Sequence, residues 1–184
     1  MQTEAFNFAF TLFGLLLGLA LAELFGGFAR ALRARHRVRI GWQSPLLALL
    51  LAVDLVTFWT GTWDLRDSIP VTLPTLLFGA LVAGLYYIAA ALVFPEDLDE
   101  WKDLDVHYSK QKVWVVLAVQ VSNLLLVAAM LSIHGNFFTT PAAFLKLGLW
   151  VGMGLALILV RPKWLNVVAL LAYLQLYWVT RVFF

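Results

Sequence analysis

The sequence predicts an all-α fold: a polytopic transmembrane bundle of six spans with short loops and both termini on the non-cytoplasmic side. Three observations carry this expectation. Of 184 residues, 62% are hydrophobic and only 13% charged, where soluble domains average about 45–50% and about 25%. Several apolar runs reach the roughly 20 residues needed to cross a bilayer core. Finally, ten of the thirteen basic residues fall in three loops, and short loops rich in Lys and Arg stay cytoplasmic. The runs are continuous rather than alternating, so helices are expected and a barrel is not. The longest polar stretch is only 95–112, so residues 1–184 read as a single transmembrane domain.

The first span covers about 7–29. The N-terminus lacks a basic n-region, its first charge being Glu4, so this span is read as retained rather than as a cleaved signal. Gly14, Gly18, Ala22 and Gly26 recur every four residues and would form one small-residue face suited to close helix contact. Glu23 lies beside that face, and a carboxylate there should meet another helix or a water-lined space. Arg30, two turns on, is expected to share its face but to lie beyond direct contact. The run ends in Arg30, Arg33, Arg35, Arg37 and Arg39. This cluster reads first as a topogenic signal, and second as a contact for anionic lipid headgroups or an acidic partner. Its spacing does not place an arginine at every third position within an apolar run, which argues against a voltage sensor.

The second span, about 45–63, carries Asp54 near its middle. An aspartate at a helix centre costs about 2.5–3.5 kcal/mol on insertion scales, so it needs a partner or a task. Thr57 and Thr60 offer hydroxyls close by. Asp64, Arg66, Asp67 and Pro70 end this span, and the third follows at about 71–94, with Gly79, Ala80, Ala83 and Gly84 allowing close approach.

Pro95 opens the linker 95–112, which holds Glu96, Asp97, Asp99, Glu100, Asp103 and Asp105 on the arginine-rich side. Leu98, Trp101, Leu104 and Tyr108 recur at three or four residues, predicting a short amphipathic helix at the interface. Lys102, Lys110 and Lys112 mark the linker as cytoplasmic. The fourth span, about 113–133, brings Gln120, Ser122 and Asn123 to the depth of Asp54, with Asn123 its best candidate partner. His134-Gly135-Asn136 and Pro141 separate it from the fifth span, about 141–160, where Gly148, Gly152 and Ala156 form a second small-residue face and Lys146 can snorkel outward. Arg161-Pro162-Lys163 precedes the sixth span, about 165–180. Trp42, Trp114 and Trp164 fall near cytoplasmic borders and Trp63 and Trp178 near outer ones, while Trp59 and Trp150 read as packing residues. The two three-span halves share no matching residues, so an inverted repeat is not inferred.

No cysteine is present, which excludes disulfide and thiol chemistry. Nucleophile elbows, zinc-protease motifs and phosphate-binding glycine loops are missing. His36, His107 and His134 occupy loops or span ends, away from where an intramembrane haem would be ligated. The expectation is therefore a non-enzymatic protein without cofactor or metal site and without nucleic acid as a partner. Two functional readings remain. In one, Glu23, Asp54, Asn123, Gln120 and Thr57 are polar pins in a subunit that self-associates or docks into a larger membrane complex. In the other they form a relay in a small proton or cation channel or carrier. Its partners would be the bilayer, anionic lipids included, and either a second copy or other membrane subunits. The expected location is the bacterial inner membrane.

Overall fold

The computed structural model describes residues 2–64, 66–134 and 140–183. Among them run six helices: α1 Gln2–Arg33, α2 Gln43–Asp64, α3 Leu73–Val93, α4 Leu104–His134, α5 Pro141–Leu159 and α6 Lys163–Phe183. The first five are long and apolar enough to cross a membrane, as expected of a multi-pass membrane protein. The sixth is interrupted by Asn166, Gln175 and three aromatic residues with polar tips, Tyr173, Tyr177 and Trp178.

The helix ends follow local chemistry. Pro74 sits in the first turn of α3 and Pro141 in that of α5, where a missing N–H costs nothing. Thr140 caps α5 by accepting a hydrogen bond from the Ala143 N–H at 3.3 Å. The predicted break at Gly135 and Asn136 lies outside the described residues, as does the side chain of Arg181.

The middle of the bundle is α2, which packs against α1, α3, α4 and α6; α1 lies mainly on α3, and α5 on α4 and α6. Leu47, Leu51, Asp54 and Leu55 of α2 are buried, the i, i+4, i+7, i+8 spacing of a helix enclosed by neighbours. By contrast α5 buries only Gly154 and Leu157.

Two expectations are corrected here. The stretch 95–103 is not an interfacial helix: it is a run of turns, and α4 begins at Leu104 rather than near 113. The apolar spacing that predicted amphipathicity instead turns inward, with Leu104 and Tyr108 fully buried and Leu98 and Trp101 packed on the core. The small-residue faces are also turned differently. Gly14 does pack, since a Cβ there would lie 2.2 Å from the Trp59 ring, but nothing lies within 4 Å of such an atom at Gly18, Gly148 or Gly152. Ala22 is likewise exposed. The inward face of α1 is Leu17, Ala20, Leu24 and Ala31, with Gly27 close against Phe94.

Candidate functional site

Two buried ionisable side chains, Asp54 and Lys112, organise the middle of the interior. Asp54 is 1% exposed. Its Oδ2 accepts from the Tyr86 hydroxyl of α3 at 2.7 Å and its Oδ1 from the Tyr177 hydroxyl of α6 at 2.5 Å. The Asn123 amide of α4 donates to both oxygens, at 3.2 and 3.0 Å. A further shell orients these donors. Trp150 of α5 donates to the Tyr177 oxygen at 3.3 Å, the Asn123 amide also reaches the Val119 carbonyl at 3.1 Å, and Phe58 meets the Tyr86 ring edge-on at 5.3 Å. Five helices thus meet around one carboxylate, and none of its hydrogen-bond partners carries a positive charge. In a low-dielectric interior such neutral donors replace the hydration shell that the acid has lost.

The second is Lys112, which the sequence placed at the end of a solvated linker. Because α4 starts early, Lys112 lies two turns inside it, 6% exposed. It donates to the Leu157 carbonyl at 2.9 Å, to the Asn166 side-chain oxygen at 2.9 Å, and to the Val160 carbonyl. All three N–H groups are therefore used, two of them on the carbonyls that the end of α5 leaves without helical partners. Asn166 holds the same turn by donating to the Val160 and Pro162 carbonyls, and accepts from the buried Tyr108 hydroxyl at 3.1 Å. Along α4, Lys112 and Asn123 are eleven residues apart, about 16 Å.

The remaining predicted residues lie elsewhere. Thr57 bonds to the Val53 and Asp54 carbonyls of its own helix, and Gln120 donates to the Trp150 and Val151 carbonyls across the gap left by Gly154. Neither joins the Asp54 carboxylate. Glu23 forms an ion pair with Arg30 at 2.8 Å, contrary to the expectation that seven residues would keep them apart: the long arginine side chain reaches back along the helix. Their side chains are 31% and 37% exposed on the outer surface of α1. Arg33 and Arg35 are exposed. Arg37 pairs with Asp99 at 3.3 Å, and the backbone of Arg39 bridges that of the linker around Asp103. So the acidic linker does meet the arginine loop. Behind this bridge Lys163 bonds to Asp105 at 3.2 Å, and that hydrogen bond, with the nearby charges of Asp105 and Asp103, holds its ammonium above the ordinary lysine value. Gly41 packs so closely on the Asp105 carboxylate that a Cβ would lie 1.8 Å from its Oδ1.

Among the described residues no three His, Asp or Glu side chains gather as a metal site would. Comparison with known families, curated proteins and solved structures finds no match to this chain.

The sequence reading paired Asp54 with Asn123 but missed Tyr86, Tyr177, Lys112 and Asn166. A signal was present for three of them. A buried tyrosine hydroxyl needs a partner, and Tyr86 lies mid-span. Asn166 lies four residues after Pro162, near the start of an apolar run, where a polar side chain reads as a local cap.

Proposed function

We propose that the chain is a non-enzymatic, multi-pass membrane subunit that associates with a second transmembrane chain, another copy or a different subunit, through the outer face of α1. The observation that carries this reading is the Glu23–Arg30 pair, partly exposed on a helix surface where nothing lies within 4 Å of a Cβ at Gly18 and Ala22 is exposed. Ionisable groups facing hydrocarbon are costly, and small residues beside them let another backbone approach closely. The reading includes six crossings, with the arginine loop, the linker and Arg161–Lys163 cytoplasmic and both termini outside. It places the chain in the bacterial inner membrane, with the exposed Arg33 and Arg35 available to anionic headgroups. The test is resonance energy transfer between donor- and acceptor-labelled copies in liposomes, with copurifying membrane proteins identified in mild detergent. Gly18→Leu and Glu23→Gln are expected to reduce association with helical content unchanged. A wild type that stays monomeric at every protein-to-lipid ratio and copurifies alone overturns the reading.

A second reading has its own support. An aspartate joined to two phenols and an amide in the middle of a bundle has the groups a proton relay needs. Proton flux into liposomes that disappears in Asp54→Asn favours a carrier; no flux in the wild type removes it.

A further inference from the structure

A cavity of ≈ 90 Å³ lies among α1, α2, α3 and α4, in the half of the bundle away from the arginine loop. Phe10, Phe13, Trp59, Phe78, Val82 and Met130 form much of its wall. Two threonines also line it, yet their hydroxyls are engaged: Thr62 donates to the Phe58 carbonyl at 2.9 Å, and Thr75 bonds to the Thr72 hydroxyl at 3.0 Å. No polar atom is left facing the space. Water entering it would find none of the partners that hold a buried water, so such a cavity stays dry.

Its shape follows from the lining. It extends from Thr75 to Ala83 along α3 and from Leu126 to Ile133 along α4, about 10–12 Å on each helix. One end is level with the ends of α2, α3 and α4; the other rests on Phe58, whose ring covers Tyr86 and through it the Asp54 carboxylate. The long axis therefore runs with the helices, as the chains of surrounding lipid do. At ≈ 90 Å³ it is smaller than the roughly 150 Å³ apolar cavity that admits benzene, which favours a slim chain over a ring.

We propose that this cavity seats the end of one hydrocarbon chain of a membrane lipid, entering from the interface at the ends of α2, α3 and α4. The occupant is recognised by the dryness of the walls, and its headgroup stays outside. This differs from a general lipid annulus because Val82, which lines the space, is only 1% exposed and can be touched solely from within.

The test uses the full chain in liposomes containing a phosphatidylcholine with a diazirine near the end of one acyl chain. After irradiation, adducts are mapped by mass spectrometry. Adducts on Val82 and Met130 are expected, with a several-fold loss in Ala129→Leu, which fills the cavity, and no loss at the exposed Leu77 and Leu155. Adducts confined to exposed positions in the wild type overturn the proposal, as do cavity adducts that survive in Ala129→Leu. Should that variant not fold, the wild-type adduct at Val82 decides alone.

Discussion

The Tyr177 hydroxyl stands 2.5 Å from Oδ1 of Asp54, although 123 residues separate the two in sequence. That contact ties the last helix to the second, and Tyr86 and Asn123 tie the third and fourth to the same carboxylate. The acid is thus a shared acceptor: removing it strands the two phenol hydroxyls at once, while the Asn123 amide keeps the Val119 carbonyl. An unsatisfied buried donor costs about 1–3 kcal/mol. Asp54→Ala is expected to lower stability by at least that amount. Asp54→Asn should lose less, because its amide keeps one acceptor oxygen while turning an NH2 towards the phenols. Reversible unfolding in mixed micelles measures both; an Asp54→Ala midpoint equal to wild type would remove the carboxylate as a pin.

Tyr86 and Tyr177 donate to different oxygens of that carboxylate, so their contributions should be coupled. Single hydrogen bonds between transmembrane helices average about 0.6 kcal/mol, with a maximum near 1.7. Tyr86→Phe and Tyr177→Phe are each expected within that range. The double variant should depart from their sum, since both single changes leave Asp54 with fewer donors. A double-mutant cycle that closes at zero would mean that the two hydroxyls act independently.

How much of this was legible depended on whether a residue announced its environment. The apolar runs did so, because hydrocarbon leaves a chain few alternatives to helix, and the five helices long and apolar enough to cross a membrane lie where those runs lie. Asp54 and Asn123 were legible for the same reason: each is a polar exception in an apolar stretch, and their depths matched. Tyr86 and Tyr177 were harder to read: a buried phenol asks for a partner, but it is apolar over most of its surface and blends into such a run. Lys112 was hidden by the early start of α4, which depends on Leu104 and Tyr108 turning inward rather than lying at the interface. The faces of the glycines were hidden as well, since spacing shows which residues share a side of a helix but not which way that side points.

Lys112 gives a prediction opposite to that for an ordinary juxtamembrane lysine. Its three N–H groups bond to Leu157, Val160 and Asn166, closing the end of α5 against α4 and α6. Hydrogen bonds to charged groups are worth about 1.5–3 kcal/mol each. Lys112→Met should therefore raise amide hydrogen exchange at Val160 and Asn166, whose N–H groups bond to Ala156 and Pro162. Lys112→Arg should rescue poorly, because a planar guanidinium cannot direct donors as a compact ammonium does. Unchanged protection in Lys112→Met would make the residue a solvated loop lysine after all.

Two glycines separate internal packing from the outer faces. A Cβ on Gly27 would lie 2.9 Å from Cδ2 and 3.0 Å from Cβ of Phe94, and the latter atom is fixed by its own backbone. Overpacking of this kind costs about 1–3 kcal/mol, more than the roughly 1 kcal/mol that alanine gains over glycine within a helix. Gly27→Ala should therefore destabilise the monomer. At Gly148 nothing lies within 4 Å, so Gly148→Ala should leave the monomer as stable as wild type or raise it by up to about 1 kcal/mol. Unfolding at high detergent-to-protein ratio compares the two. If Gly148→Ala were the more damaging change under those conditions, its face would be packed within the chain and not open at the surface of the bundle.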